Sequence, residues 1–214
     1  MDLYNMTVCE YLEHLKAKEP APGGGAAAAL TGAQGMALMM MAAEYTLGNK
    51  KYADWQQEAA SVLETCASGL SRIAGLIDAD KQAYLDLTAA RRLSADTDEQ
   101  KAEKAEHVRS AAAAAIRVPL DIMRLSCDGM RTLHTAVGHT NPYLLSDLGV
   151  ALVHFDAAVH SGWINVLVNL PSVESMEERA AYRLEAKEYI AECETLKCEY
   201  YDKIMGELAV DASI

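Results

Sequence analysis

Aromatic side chains are scarce in this chain, with one Phe and two Trp in 214 residues and aromatics together at 6%. The period-two alternation that marks half-buried strands is absent as well, which excludes a sheet-based fold. Proline and glycine are scattered and mark no linker, and the length suits one domain, residues 1–214, with a substantial core. Positive charge is in deficit: 19 Lys plus Arg stand against 31 Asp plus Glu, a formal charge of −12. Such a surface repels a phosphate backbone, so no nucleic acid partner is expected. The five cysteines include no C-x-x-C pair and are odd in number, which fits no disulfide framework and suits a reducing cytoplasm. No signal-peptide pattern opens the chain, and the most apolar stretches are interrupted by Gly, Glu or Asn. A soluble, cytoplasmic protein with no membrane partner is expected.

What is present nearly everywhere is helical periodicity, so the expected fold is all-α, a bundle of about six helices with several long ones. A first helix opens at the capping box Thr7-Val8-Cys9-Glu10 and is expected to bury Val8, Tyr11, Leu12 and Leu15. A second runs from about Gly25 to Leu47 with almost no charge before Glu44, as befits a central helix buried nearly all round. The third spans roughly Lys51 to Leu93. A fourth opens at the capping box Thr97-Asp98-Glu99-Gln100, and Pro119 is expected to kink or break it. Asn141-Pro142 starts a fifth, ending near Asn169. The sixth, about Ser175 to Leu208, repeats Tyr182, Ala186, Tyr189, Cys193, Leu196, Tyr200 and Ile204 in a three-four rhythm.

One residue breaks the apolar pattern. In the third helix Ala59, Val62, Cys66, Gly69, Ile73, Leu76, Asp80, Ala83 and Leu87 share one face, and Asp80 is the only charge among them. A carboxylate on a buried stripe loses hydration and holds its proton more tightly, which suits it to proton exchange near neutral pH. The plainer reading is a buried aspartate that satisfies a helix end or an ion pair.

Other groups each carry a plain and a functional reading. Gly23, Gly24 and Gly25 follow Pro20-Ala21-Pro22 and lead into the Ala-rich helix. They make a stiff turn, or a set of bare backbone N–H groups open to a carboxylate or a ring edge. Lys50 and Lys51 sit beside a turn as ordinary solvated cations or as a seat for an acidic ligand tail, and Arg91-Arg92 offer a second basic site. Asn165 and Asn169, four apart on an apolar helix, point their amides the same way, toward each other, a backbone or a heteroaromatic ring. Ser146-Asp147 lies where it can simply support a helix N-terminus. Metal chemistry looks poor, because no histidine has Glu three residues before it and no H-E-x-x-H occurs. Phosphate-loop and dinucleotide glycine patterns are also missing.

The segments PAPGGGAAAAL, TLGNKKY, IDADKQAY, the VPL at Val118 to Leu120, LLSDLGVA and NVLVNLPS, in this order, span nearly the whole chain. Together they resemble the cyclodeaminase/cyclohydrolase family of folate enzymes. The resemblance implies an all-helical homodimer that binds a tetrahydrofolate, with a polyglutamate tail, and needs no metal or further cofactor. Asp80 matches the family's proposed catalytic aspartate, and Gly23, Gly24, Gly25, Lys50, Lys51, Arg92, Asp147, Asn165 and Asn169 fall on recurrent motif positions. The sequence departs from that pattern at Ala26, Glu44, Leu85 and Ser94, where Ser, Asn, Asn and Pro are usual. The expected activity is hydrolysis of 5,10-methenyltetrahydrofolate to 10-formyltetrahydrofolate. The alternatives are cyclodeamination of formimidoyltetrahydrofolate with release of ammonia, or a non-catalytic folate-binding or structural bundle.

Overall fold

A computed structural model describes residues 2–211, and among them six α-helices and three short 3-10 segments account for the regular structure. They are α1 (Val8–Leu15), α2 (Gly24–Glu44), α3 (Gln56–Arg91), α4 (Asp98–Ala136), α5 (Leu145–Asn169) and α6 (Met176–Asp211). Short connections make successive long helices antiparallel neighbours. Helix α2 touches α3, α4 and α5, and α6 covers α4 and α5. The capping boxes at Thr7 and Thr97 are both formed.

Helix α2 earns its central place by lacking bulk. Its Ala26, Ala29, Met39, Ala42 and Ala43 are fully buried, and close approach to its neighbours follows from the small side chains. The chain's one phenylalanine, Phe155 of α5, is fully buried against two glycines, Gly35 of α2 and Gly129 of α4. A Cβ at either would lie 2.6 or 2.4 Å from the Phe155 ring, so three helices close around one aromatic side chain. By length and composition α2 and the stretch Pro142–Ser172 are apolar enough to cross a bilayer.

Two expectations need correction and a third is narrowed. Val8 and Leu12 are 79% and 53% exposed, because the two-turn α1 lies at the edge of the bundle and reaches the core through Tyr11. The segment Lys50–Trp55 is a 3-10 turn ahead of α3. Of the two outcomes expected at Pro119, a kink or a break, the break does not occur: α4 runs on past it. A proline has no N–H to give the carbonyl four residues back, here Ala115. The Asn169 amide of α5 donates to that carbonyl at 2.8 Å, so a side chain from another helix supplies the missing bond.

Candidate functional site

The N-terminus of α2, the C-terminal half of α3 and the C-terminal end of α5 meet at one end of the bundle. They enclose a cleft of about 230 Å³ lined by Gly23, Gly24, Gly25, Asp80, Asn165 and Asn169, with Lys81, Tyr84 and Val168 at its walls. Six of the candidate positions read from sequence therefore share one cavity.

Asp80 is half-buried within it. Its Oδ2 accepts the Ala26 N–H at 3.0 Å, one of the backbone donors that a helix N-terminus leaves without an intrahelical partner. The first bond inside α2 is Ala27 N–H to the Gly23 carbonyl, so the Gly24 and Gly25 amides also precede the helical ladder. Burial pushes the Asp80 carboxyl above its ordinary value, and the Ala26 N–H pulls the other way without cancelling it. This is a carboxyl that holds its proton longer than a solvated one and still has a helix end to steady its anion.

Gly25 explains how the carboxylate fits. A Cβ there would stand 2.0 Å from Asp80 Oδ1, a collision no rotamer shift of a methyl can relieve. At Gly24 the same atom would meet only the Asn165 amide at 3.6 Å, an ordinary contact. Within the triple glycine, the close approach is specific to position 25.

The two asparagines are held by backbone. Asn165 Nδ2 donates to the Ser161 carbonyl at 2.8 Å, and Asn169 Nδ2 to Ala115 as described above. Each anchored amide presents its oxygen as an acceptor, so the cleft offers polar groups of both kinds beside an acid–base group. Tyr11 lies behind this wall. It is 5% exposed, its hydroxyl has no hydrogen-bond partner among the described residues, and burial with the nearby Asp80 charge raises its pKa.

Four candidates stand elsewhere. Lys50 and Lys51 lie in the 3-10 turn beyond the C-terminus of α2, about 30 Å along that helix from the cleft. Asp147 is in the first turn of α5, at that same far end, and Arg92 caps α3, exposed and outside the cleft lining. Lys51 Nζ sits 5.3 Å from the Tyr143 ring centroid. The cation at the cleft is Lys81, which the sequence places directly after Asp80; that adjacency was the available signal. Of the four departures from the family pattern, Ala26 alone touches the site, through its amide. Glu44 is exposed at the other end of α2, and Leu85 and Ser94 do not line the cleft.

Other hollows and clusters lack this chemistry. A larger hollow of about 530 Å³ between α3 and α4 is lined by charges such as Asp128 and Arg131, and Arg131 is bound to both Asp128 and Glu192. Asp156, His160 and Cys193 bring potential ligand atoms within 4.8 Å of one another, but the Lys197 ammonium already occupies Asp156 Oδ2 at 2.5 Å.

A family model described as formiminotransferase-cyclodeaminase matches residues 7–188. A methenyltetrahydrofolate cyclohydrolase of Methylorubrum extorquens is 32% identical over 208 residues, covering 95% of this chain and 98% of that one. A formimidoyltransferase-cyclodeaminase of Sus scrofa is 25% identical over 199 residues, 93% of this chain but 37% of that longer protein. The crystal structure of a formiminotetrahydrofolate cyclodeaminase from Thermotoga maritima has the same fold, with a TM-score of 0.84 at 24% identity over 96% of this chain and 98% of the other. With a family model covering most of its length and a full-length relative above 30% identity, this chain belongs to the formiminotransferase-cyclodeaminase family.

Proposed function

We propose that this protein is a folate one-carbon enzyme that hydrolyses 5,10-methenyltetrahydrofolate to 10-formyltetrahydrofolate, with Asp80 as its general acid–base group. The observation that carries the reading is the half-buried Asp80 carboxyl, raised in pKa and seated at the amide end of α2 in a cleft with two anchored asparagines. The full-length cyclohydrolase relative supports the choice of reaction.

In that reaction Asp80 takes a proton from water as the oxygen bonds to the cationic methenyl carbon, giving a neutral tetrahedral adduct. Asp80 then returns the proton to N5 as the carbon–N5 bond breaks. The adduct's hydroxyl loses its own proton as the formyl C=O forms on N10, so one proton is released overall. The Asn165 and Asn169 oxygens and the α2 amides orient the pterin, and orientation supplies what a single proton shuttle does not. Lys50 and Lys51 receive the acidic tail of the folate, Arg92 and Asp147 serve as further polar contacts, and no metal or additional cofactor takes part. The protein acts in the cytoplasm as a homodimer.

A second reading, cyclodeamination, rests on the match of nearly all of this chain to part of formimidoyltransferase-cyclodeaminases. There N10 attacks the formimidoyl carbon and Asp80 protonates the departing ammonia. The deciding assay follows methenyltetrahydrofolate absorbance with each substrate. Its loss supports hydrolysis, its appearance with ammonia supports cyclodeamination, and tight folate binding with neither change would leave a carrier in place of an enzyme.

A further inference from the structure

We infer that Pro119 is a positioning residue for the cleft: by leaving the Ala115 carbonyl without a helical donor it fixes which way the Asn169 amide faces, so that Asn165 and Asn169 together present two acceptors and select a ring edge that carries N–H donors. The inference deepens the proposed function and takes from it only that the fused ring of a folate enters the cleft.

The starting observation is a carbonyl that α4 cannot satisfy from within. Pro119 is buried and has no N–H, so the Ala115 carbonyl lacks its helical donor, and Ala115 is itself buried at the cleft lining, away from bulk water. A buried acceptor left alone is costly, so a side chain within reach is drawn to it. The reach comes from Gly162 of α5. A Cβ there would stand 3.1 Å from the Pro119 carbonyl oxygen and 2.6 Å from Met123 Cγ, so α5 lies almost against α4 at the proline. The two helices run antiparallel. Asn169, two turns on from Gly162 along α5, therefore arrives beside Ala115, one turn back from Pro119 along α4.

That bond has only one sense. A carbonyl oxygen accepts and never donates, so the group of Asn169 that meets it at 2.8 Å is the Nδ2 amine, and the amide oxygen is left as the acceptor at the cleft. Asn165 is set the same way by its own helix, its Nδ2 bonded to the Ser161 carbonyl at 2.8 Å. The two asparagines stand one turn apart, about 6 Å between their Cβ atoms. An unanchored amide exchanges donor for acceptor by a half-turn of its last torsion and reads either kind of ligand edge. These two read one kind.

The consequence is selectivity for the ring's hydrogen-bonding edge. The 2-amino-4-oxo ring of a folate carries adjacent donors, the 2-amino group and N3–H, and two acceptors facing it pair with both. A 2,4-dioxo ring of the same size and flatness puts an oxygen where the amino group stood, and oxygen then meets oxygen. The cleft distinguishes the two by charge complementarity at one atom, since their shapes are the same. Pro119 lies outside the cleft lining and acts only through Ala115 and Asn169.

Two measurements test this. The first needs neither ligand nor turnover: the cost of Asn169→Ala to stability in urea, measured with Pro119 present and in a Pro119→Ala background. With the proline present the variant leaves the Ala115 carbonyl bare and is expected to lower the folded-to-unfolded ratio roughly tenfold. With alanine at 119 the restored N–H takes that carbonyl, and the loss is expected to be about twofold. Asn169→Ala folding only in the Pro119→Ala background would be the same coupling at its extreme, and equal losses in both backgrounds overturn the inference. The second measurement titrates pterin and lumazine, the 2-amino-4-oxo and 2,4-dioxo rings, by their own fluorescence in mildly acidic buffer. Wild type is expected to hold pterin on the order of tenfold more tightly than lumazine, and Pro119→Ala, its Asn169 amide released to turn, only about twofold. Equal binding of the two rings by wild type, binding of neither, or an undiminished preference in Pro119→Ala overturns the inference, whatever the turnover. A wild-type protein with the coupling and the preference but no turnover faults the proposed reaction and leaves the inference standing.

Discussion

The two ends of this bundle are built from the same three helices and could hardly differ more. At one end α2 begins, α5 finishes, and the passing α3 contributes Asp80, and bare backbone, a half-buried carboxyl and two anchored amides face inward around a cleft. At the other end α2 stops at Glu44, and a 3-10 turn and the start of α5 hold the chain together. There the Asn141 N–H donates to Thr46 Oγ1 and the Tyr52 hydroxyl to Asn141 Oδ1, both at 2.8 Å, with Lys51 displayed on the outside. One end spends its polar groups on a cavity, the other on closing a turn. A helix N-terminus offers unpaired donors that a buried anion can use, while a C-terminus offers carbonyls that cannot serve one.

The sharpest way to break this contrast is Asp80→Asn, which keeps the Ala26 contact and the bundle but removes the proton carrier. Turnover of methenyltetrahydrofolate is expected to fall by about 10²–10⁴-fold with the helical circular dichroism unchanged. Equal turnover would take Asp80 out of the chemistry. Next in size is Gly25→Ala, expected to cost on the order of 10²-fold by pushing the carboxyl aside. Gly24→Ala, one residue away with room for its methyl, should stay close to wild type in the same kinetics.

A smaller effect is expected from Pro119→Ala. It restores an N–H to the Ala115 carbonyl, competes with Asn169 for that acceptor, and should raise KM by about fivefold, the worth of one hydrogen bond, while stabilising α4. Thermal melting and KM moving in opposite directions would distinguish this from a general loss of fold. At the other end, neutralising Lys50 and Lys51 together should raise KM about fivefold for a folate with a polyglutamate tail, and much less for one without. Equal effects on both would show that the lysines do not read the tail.

The smallest effect concerns pH. Asp80 holds its proton more tightly in the folded chain than at its ordinary value of 3.8, so the folded state binds more protons than the unfolded one over that interval. Stability therefore declines as pH rises from about 3.8 through the raised folded value. Asp80→Asn should lack this decline, and urea midpoints across acid pH, variant against wild type, measure it.

Features that depend on spacing within one helix were legible from sequence. The apolar face of α3 with Asp80 on it, the Asn165/Asn169 pair and both capping boxes all follow from the 3.6-residue period. Period gives the face of a helix and says nothing of which end meets which neighbour. That is why Lys50, Lys51 and Asp147 read as companions of Asp80 and stand far from it in one chain. Nor can local patterns show that the Ala115 carbonyl orphaned by Pro119 is taken by Asn169, fifty-four residues further along the sequence. Val8 and Leu12 have the right spacing for burial, but a helix of two turns has little surface to commit, and one residue satisfied the contact.

Gly25 and Asp80 occupy what is sterically a single site: the methyl missing from one is the volume filled by the other. Varying position 25 alone therefore displaces the carboxyl in every variant that carries a side chain there. A side chain at 25 and the carboxyl in its present seat exclude each other, so the glycine and the position of the acid are kept or lost together.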